Sequence, residues 1–269
     1  MISLKRNSKG KFVEATGKRT RASSYYNRNQ TESFKISRSK FSDFLSCKRC
    51  FYLDRVLGLV SPDLPGWTLN ETTDLLLKKE FDLCREREVP HRIFSKFNLD
   101  HIIPFQHEDI EKWRDSLHHG IEAKIDGSNI ILYGGIDDVG IDLKENKLVI
   151  IDYKSQATKY PVNSRTYLSN TYHQSYKLQM DVYAFILSKM GFDVSGTSYF
   201  YVCNADRSFP NFQGLMRFEE TLIPYEPDTK WIEPQILSMV DCLNSLEIPE
   251  ANSACMNCAY SRARIEMEV

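Results

Sequence analysis

The chain has 269 residues, of which 42% are hydrophobic and 26% are charged. That length and composition are typical of a globular protein with one large domain. Its apolar runs are too short to cross a bilayer, which takes about twenty apolar residues. The basic N-terminus lacks the apolar stretch of a signal peptide. We therefore expect a cytoplasmic protein with no membrane segment.

Charge is distributed unevenly along the chain. Residues 1–40 contain eleven Lys and Arg and two Glu, a net charge of +9. Because the whole chain carries −1, residues 41–269 carry −10. A basic segment rich in Ser and Asn with few large apolar residues cannot form a core, so residues 1–35 are predicted to be a flexible arm. Such an arm either binds nucleic acid by neutralising phosphates or only keeps the protein soluble, and the sequence leaves both open.

Helical patterns begin after the arm. Residues 36–59 start with a Ser-rich cap and continue with apolar residues at helical spacing, which predicts one or two helices with a break near the cysteines. Residues 68–87 predict an amphipathic helix, residues 88–107 are irregular, and a short helix follows at 108–118. The predicted buried positions of the 68–87 helix include Leu69, Leu76, Phe81 and Leu83.

The middle of the chain contains strand patterns. The stretches "SNIILYGGIDDVGID" and "VIIDYKS" are joined by the turn "LKENKL", which predicts a β-hairpin. The later elements are predicted to be a helix at 175–191, strands at 197–204 and 214–225, and a helix at 229–247. This alternation predicts the α/β fold class, with a mixed β-sheet core flanked by helices.

The predicted hairpin brings two acids and a lysine together. If its turn centres on Glu145–Asn146, Asp137 lies opposite Lys154 and Val139 lies opposite Asp152. Side chains alternate along a strand, so all four share one face, and the two aspartates are near enough to bind one cation. A slip of one residue would move Asp137 to the other face.

Two carboxylates and a lysine at the end of a strand suit metal-dependent hydrolysis of phosphodiesters. Carboxylate oxygens bind Mg²⁺, and a neighbouring ammonium can orient water or stabilise developing charge. The alternative is a surface ion pair, but "LVIID" is typical of a strand buried on both faces, where an acid without a role is costly. Gln179 and Tyr183 are four residues apart, so they project from one side of the 175–191 helix.

These segments resemble a known family. "GGIDDV", "IIDYKS" and "QMDVY" are similar in order and spacing to the motifs of the RecB-like branch of the PD-(D/E)xK nuclease superfamily. The resemblance implies a restriction-endonuclease-like fold over residues 36–269. It also implies metal binding by Asp137 and Asp152, catalysis by Lys154, and a substrate cleft lined by Gln179 and Tyr183.

The resemblance also implies further ligands for the Mg²⁺ or Mn²⁺ ion. The family often supplies one more ligand from the helix before the sheet, and Glu80 is the residue predicted for that role. The backbone carbonyl of Tyr153 is predicted to be another ligand. Asp138 is not assigned to the site because it points away from Asp137.

Four cysteines form two C-x-x-C pairs near the two ends of the predicted domain. Each pair can bind one metal with two thiolates, and two pairs complete a four-cysteine set for either zinc or a [4Fe–4S] cluster. Such a site would staple the C-terminal segment to the first helix. The four cysteines are Cys47, Cys50, Cys255 and Cys258.

The choice of metal depends on the resemblance. RecB-like nucleases of the AddAB and CRISPR-associated exonuclease types carry an iron–sulfur cluster, and "SKFSDFLSCKRCFYL" is similar to their entry segment. Those families commonly supply one early and three late cysteines, whereas this chain supplies two and two, which keeps zinc open. The remaining residues Cys84, Cys203 and Cys242 are predicted to lie in the core.

The sequence as a whole predicts a metal-dependent nuclease. The expected activity is exonucleolytic hydrolysis of DNA in repair, recombination or CRISPR adaptation, with helicase or CRISPR adaptation proteins as partners. One alternative is a sequence-specific endonuclease, and another is a metal-stapled nucleic-acid-binding subunit without catalysis. The residues predicted to contact phosphates are Lys48, Arg49 and Arg55.

Overall fold

The computed structural model describes residues 4–62 and 66–268. The chain divides into two compact units. The first unit comprises Met1–Gly66, Ile125–Ile130 and Glu233–Val269, and the second comprises Trp67–Lys124 and Ile131–Ile232. Within the described residues, every helix is too short or too polar to span a membrane.

Helices and strands alternate along the chain, and the predicted mixed α/β fold is confirmed. The helices are α1 (Arg38–Ser46), α2 (Lys48–Arg55), α3 (Thr68–Glu86), α4 (Arg92–Lys96), α5 (Ile110–Arg114), α6 (Ser164–Ser169), α7 (Gln174–Lys189), α8 (Ile232–Asn244) and α9 (Met256–Glu268). The strands are β1 (Phe34–Ser37), β2 (Ile102–Pro104), β3 (Ile121–Lys124), β4 (Ile130–Gly134), β5 (Asp138–Asp142), β6 (Lys147–Gln156), β7 (Ser198–Ala205) and β8 (Phe218–Tyr225).

The second unit is built on a five-stranded mixed sheet. Its strand order is β2-β5-β6-β7-β8, with β6 and β7 parallel and the other neighbours antiparallel. Strand β6 is central, and residues 148–151 are buried, as the apolar run "LVII" predicts. Parallel strands end at the same edge of a sheet, so the chain leaves β6 and β7 at one edge.

Helix α3 covers one face of this sheet. Leu77 and Phe81 pack with Val149, Ile151 and Tyr153 in one apolar cluster. The helix is in the predicted place, but its predicted buried face is only partly right. Phe81 is buried, whereas three predicted positions, namely Leu69, Leu76 and Leu83, are exposed. The chain between α3 and α5 was predicted to be irregular, yet it contains α4 and β2.

The first unit contains the predicted pair of helices with a break at the cysteines. Ser37 caps α1 by accepting a hydrogen bond from the backbone N–H of Lys40, and α1 ends at Cys47, which is also the N-cap of α2. Helix α9 was not predicted. In the N-terminal segment, Tyr26 is buried and its backbone N–H donates to the backbone carbonyl of Arg55. The flexibility of residues 1–35 stays a prediction.

Candidate active site

The hairpin of β5 and β6 positions the predicted acids. Asp138 pairs with Ile151 and Asp142 pairs with Lys147, so the turn centres on Lys144–Glu145. The predicted register is therefore wrong by two residues. Because the difference is even, the side chains keep their faces. Asp137 lies just before β5 and accepts a hydrogen bond of 2.9 Å from the N–H of Tyr153.

Asp152 and Lys154 form an ion pair inside the unit. Asp152 is fully buried, and its Oδ2 contacts the ammonium of Lys154, which also donates to the Tyr153 carbonyl at 3.3 Å. Burial raises the pKa of Asp152 from 3.8 to about 7; Lys154 opposes this shift and the nearby Asp137 carboxylate adds to it. Burial opposes charge on Lys154, but the two carboxylates outweigh it and raise its pKa.

Helix α7 supplies the two polar residues that the sequence placed on one side. Gln179 donates from Nε2 to Asp152 Oδ1 at 2.8 Å and to the Tyr183 hydroxyl at 3.1 Å. The Tyr183 hydroxyl in turn donates to the Gly135 carbonyl. This chain of bonds fixes the orientation of the Asp152 carboxylate, so the structure brings Asp137, Asp152, Lys154, Gln179 and Tyr183 together.

On α3 the acid near this group is Asp74, which the sequence analysis did not single out. Burial raises the pKa of Asp74 and the Asp137 carboxylate adds to the shift, while Lys78, at 2.9 Å, and Lys154 oppose it. Asp74 precedes the buried Leu77 by three residues and Phe81 by seven. That helical spacing, which places it on the sheet-facing stripe, is the signal that identifies it.

Glu80, the acid predicted from sequence, has other partners. Its carboxylate lies 2.9 Å from His91 Nε2 and 3.2 Å from Arg92. Glu80 lies six positions after Asp74, so it points about 120° away from it around the helix, at 100° per residue. The structure thus places Glu80 in another group of charged side chains.

Two aromatic residues next to the acids were also not predicted from sequence. The Lys154 ammonium lies 4.9 Å from the centre of the Tyr176 ring. Tyr167 is buried, and its hydroxyl has no hydrogen-bond partner among the described residues. Burial and the Asp152 carboxylate raise the pKa of Tyr167, which places its hydroxyl within the field of the acids.

The opposite face of the hairpin holds a separate set of charges. Asp138, as predicted, points away from the acids above, and it is fully buried. It bonds Arg85, Arg114 at 2.6 Å and the Tyr153 hydroxyl at 2.8 Å. Asp82 contacts both arginines. Asp138 and Asp82 therefore offset the two guanidinium groups, and the exposed Glu111 adds a third carboxylate 3.0 Å from Arg114.

Comparison with protein families gives this arrangement a context. The model of the PD-(D/E)XK nuclease superfamily matches residues 67–263, well over half of the chain. The chain belongs to this superfamily. A comparison with curated proteins found no match. The matched range of this PD-(D/E)XK chain includes Asp74, Asp137, Asp152, Lys154, Gln179 and Tyr183.

The acids of this PD-(D/E)XK chain fit a hard divalent cation. Oδ2 of Asp152 is buried and accepts no hydrogen bond from the described residues in good geometry, its one contact being the Lys154 ammonium. That ammonium also contacts the Tyr153 carbonyl, so the two oxygens already converge on a positive charge. Carboxylate and carbonyl oxygens are the ligands that Mg²⁺ and Mn²⁺ prefer.

The four cysteines of the two pairs meet within the first unit. Their Sγ atoms all lie within 4.8 Å of one another, with separations of 3.4 Å for Cys50–Cys258, 3.5 Å for Cys50–Cys255 and 3.9 Å for Cys47–Cys258. Burial, the neighbouring thiols and the charge on Cys47 raise the pKa of Cys50, whereas hydrogen bonds from the backbone and from the other thiols outweigh burial and lower the pKa of Cys47 to about 7. The group can bind a metal.

Two helix starts present these cysteines. In each pair the first cysteine immediately precedes a helix, α2 or α9, and the second lies in its first turn. Asn252 also donates to the Ser46 carbonyl at 2.9 Å, which ties the two segments together beside the sulfurs. The predicted joining of the N- and C-terminal segments is therefore present in the first unit.

The predicted phosphate contacts on α2 are not equally accessible. Lys48 and Arg49 are exposed. Arg55 is only 7% exposed, and its guanidinium bonds Asp54 at 3.1 Å, so burial and an internal partner oppose the predicted role. Of the other cysteines, Cys203 and Cys242 are buried as predicted, while Cys84 is partly exposed.

Proposed function

We propose that the protein is a Mg²⁺- or Mn²⁺-dependent nuclease that hydrolyses phosphodiester bonds of DNA. The observation that carries this proposal is the buried Asp152 carboxylate beside Asp137, whose Oδ2 contacts the Lys154 ammonium but accepts no well-aligned hydrogen bond from the described residues. Family membership supports the same reaction class. Two neighbouring carboxylates that share one lysine are costly to bury, and a divalent cation would offset that cost.

Each residue of the group has a proposed role. Asp137, Asp152, Asp74 and the Tyr153 carbonyl hold the cation, which when bound neutralises charge on the phosphate and activates water. Lys154 orients the attacking water and stabilises charge that develops in the transition state. Gln179 holds the Asp152 carboxylate in place, and Tyr183 holds Gln179.

The finer assignments are also proposals. We place the chain in the RecB-like branch, acting on DNA ends as a cytoplasmic exonuclease in repair, recombination or CRISPR adaptation. A helicase or CRISPR adaptation protein would then be its partner. The basic residues 1–35, with Lys48 and Arg49, would add contacts to phosphates.

A cleavage assay tests the proposal. End-labelled single- and double-stranded DNA and a closed circle are incubated with Mg²⁺ or Mn²⁺ and with protein purified without oxygen. We expect cleavage from ends by the wild type, loss of cleavage in Asp152→Ala, and normal cleavage in the control Asp193→Asn, whose side chain is exposed. Nicking of the circle would favour the endonuclease. DNA binding without turnover would favour the binding subunit.

For the four cysteines we propose a single zinc ion as the bound metal, with the [4Fe–4S] cluster as the competing identity. A zinc–sulfur distance of about 2.3 Å gives tetrahedral sulfur separations of about 3.8 Å. Three of the six separations, at 3.4, 3.5 and 3.9 Å, are close to that value, and all six are within 4.8 Å. A cluster of eight atoms would hold its thiolates farther apart.

Metal analysis separates the two identities. We expect one zinc per chain and no visible absorption in protein purified without oxygen. Cys255→Ser should lose the metal and lower the melting temperature, while Cys84→Ser, outside the group, should keep both. Iron, sulfide and a brown colour would identify the cluster, and unchanged metal content in Cys255→Ser would exclude these cysteines as the site.

A further inference from the structure

Two stretches of the chain contain cations and aromatic residues but no acid. No Asp or Glu occurs between Asp152 and Asp181 or between Asp206 and Glu219, although 36 of the 269 residues are acidic. The cations and aromatic residues of the first stretch after Lys154 are Lys159, Tyr160, Arg165, Tyr167, Tyr172, Tyr176 and Lys177. Those of the second are Arg207, Phe209, Phe212, Arg217 and Phe218.

The fold brings the two stretches to one edge of the sheet. The first follows β6 and the second follows β7, and these strands are parallel, so both stretches begin at the same edge. Asn204 fixes them to each other, because its side chain accepts from the Thr158 N–H at 2.9 Å and donates to the Thr158 carbonyl at 3.1 Å. Lys154 is two residues from the end of β6, at the same edge.

A groove of about 750 Å³ lies between the stretches. Its cations are Lys96, Lys159, Arg207 and Arg217. The last three are exposed, and none of them forms an ion pair within the described part of the chain. Of its three acids, Glu220 is neutralised by Arg92, which bonds it at 2.5 Å from outside the groove.

A second cavity, of about 350 Å³, adjoins this groove and reaches Gln156, the last residue of β6, which lies two residues after Lys154 on the same face of the strand. It shares Thr158, Tyr160 and Pro161 with the groove. Its other wall includes Tyr167, whose buried hydroxyl lies within the field of Asp152. The two cavities therefore form a path along the edge of the sheet that ends at Gln156 and Tyr167, beside the segment of β6 that carries Asp152 and Lys154.

We propose that this path binds single-stranded nucleic acid, with phosphates on Lys159, Arg207 and Arg217 and a base stacked on Tyr160. Tyr160 is 67% exposed and the Lys159 ammonium lies 5.2 Å from its ring centre, so a cation and a stacking surface occur together. The proposal rests on the proposed nuclease function and names its substrate form.

The buried position of the catalytic group favours a single strand over a duplex. Asp152 is fully buried and the Lys154 side chain is only 14% exposed. A duplex keeps its bases paired inside and its two backbones apart, so it cannot present a base to Tyr160 or insert one phosphate between α7 and the β6 edge. A single strand can do both, because its bases are free to stack and its backbone is narrow.

Binding is tested in the Asp152→Asn background with a chelator present, so that cleavage does not interfere. Fluorescence anisotropy with labelled oligothymidylate and a duplex of equal length is measured for Arg207→Ala/Arg217→Ala, for Tyr160→Ala and for the control Lys144→Ala. Lys144 lies in the β5–β6 turn at the opposite end of β6 and is exposed.

We expect single-strand affinity to fall about fivefold or more in Tyr160→Ala. In the double variant the slope of log K against log salt should become shallower by about 1.4, and Lys144→Ala should change neither quantity. Equal affinity of all variants for the single strand would overturn the proposal, as would tighter binding of the duplex that depends on the same residues.

Cleavage by the same groove variants with Asp152 restored separates this proposal from the nuclease function. Active wild type with unchanged single-strand binding in the groove variants would reject the groove and keep the nuclease. A wild type that does not cleave DNA, together with weakened single-strand binding by the groove variants, would keep the groove and reject the nuclease.

Discussion

Asp137 and Asp138 are adjacent in sequence, yet they belong to two different charge clusters. Asp138 is enclosed by two guanidinium groups and the Tyr153 hydroxyl, and the acids of this cluster offset the two guanidinium groups. Asp137 joins Asp152 and Asp74 on a face whose neighbouring cations are Lys154 and Lys78. The difference separates a charge cluster that holds the fold from one that is left incomplete for a cation.

The largest expected effect is the loss of activity at the incomplete cluster. Asp152→Asn should reduce cleavage about a thousandfold or more, because it removes a cation ligand and the partner of Lys154. The melting temperature near pH 7 should not fall, since burial and the nearby Asp137 carboxylate disfavour the charged form of Asp152 and the Asp137 carboxylate remains near Lys154. Steady-state cleavage and thermal unfolding check both statements. A variant that is active, or one that is unfolded, would contradict the assignment.

A substitution in the charge cluster around Asp138 should have the opposite effect and lower the stability of the protein. Asp138→Asn removes the fully buried carboxylate of Arg85 and Arg114, which keep only the more exposed Asp82 and Glu111, and should lower the free energy of unfolding by about 3–5 kcal/mol. Urea unfolding followed by circular dichroism measures this, with Asp193→Asn as the exposed control. A loss below about 1 kcal/mol would mean that the two clusters do not differ as described.

A pH titration sharpens the comparison further. The pKa of Asp152 is raised from 3.8 to about 7, chiefly by burial, so between these values the folded protein binds a proton that the unfolded chain does not. Without a cation, ionisation of Asp152 therefore lowers stability as the pH rises from about 4 to about 7, and Asp152→Asn removes that loss.

Thermal unfolding with a chelator, at several pH values, is the measurement. The melting temperature of Asp152→Asn should equal that of the wild type near pH 4, exceed it increasingly up to about pH 7, and stay above it by a constant amount beyond. In the presence of Mg²⁺ the cation competes with this proton, so wild-type cleavage should fall as the pH is lowered, and the midpoint of the fall should move to lower pH as the Mg²⁺ concentration is raised. A difference that is the same at every pH would argue against the raised pKa.

The sequence predicted the hairpin and its functional face because a long apolar run and a polar turn determine them. The register was missed because the turn centres one residue earlier than predicted, at Lys144–Glu145. There Asp142 accepts from the N–H groups of Lys144 and Glu145, and Asn146 adopts a positive φ of 56°. The error did not move the acids to the wrong face, since a shift of two residues preserves the alternation.

Helix α3 shows what the sequence could not determine. Leucines occur around most of its circumference, so counting apolar residues did not reveal which side faces the sheet. Leu77 and Phe81 define that side in the structure, with Asp74 on it. The short helices α4 and α6 depend on capping and tertiary contacts, such as the Asn163 side chain accepting from the Thr166 N–H, and have too few residues for a periodic signal.

The smallest expected effect compares the two acids of α3. Asp74→Asn should raise the Mg²⁺ concentration needed for half-maximal cleavage about tenfold, since Asp74 lies in the field of Asp137 at the edge of the site. Glu80→Gln is the matched control, because its carboxylate bonds His91 and Arg92 instead. A metal titration of cleavage measures both variants beside the wild type.

The control also tests the assignment that the sequence favoured. If Glu80→Gln raised the Mg²⁺ requirement and Asp74→Asn did not, Glu80 would be the ligand, and α3 would have to rotate by about 120° when the cation binds. Such a rotation would expose Leu77 and Phe81, which are buried against β6. That energetic cost is the physical reason to expect the result at Asp74.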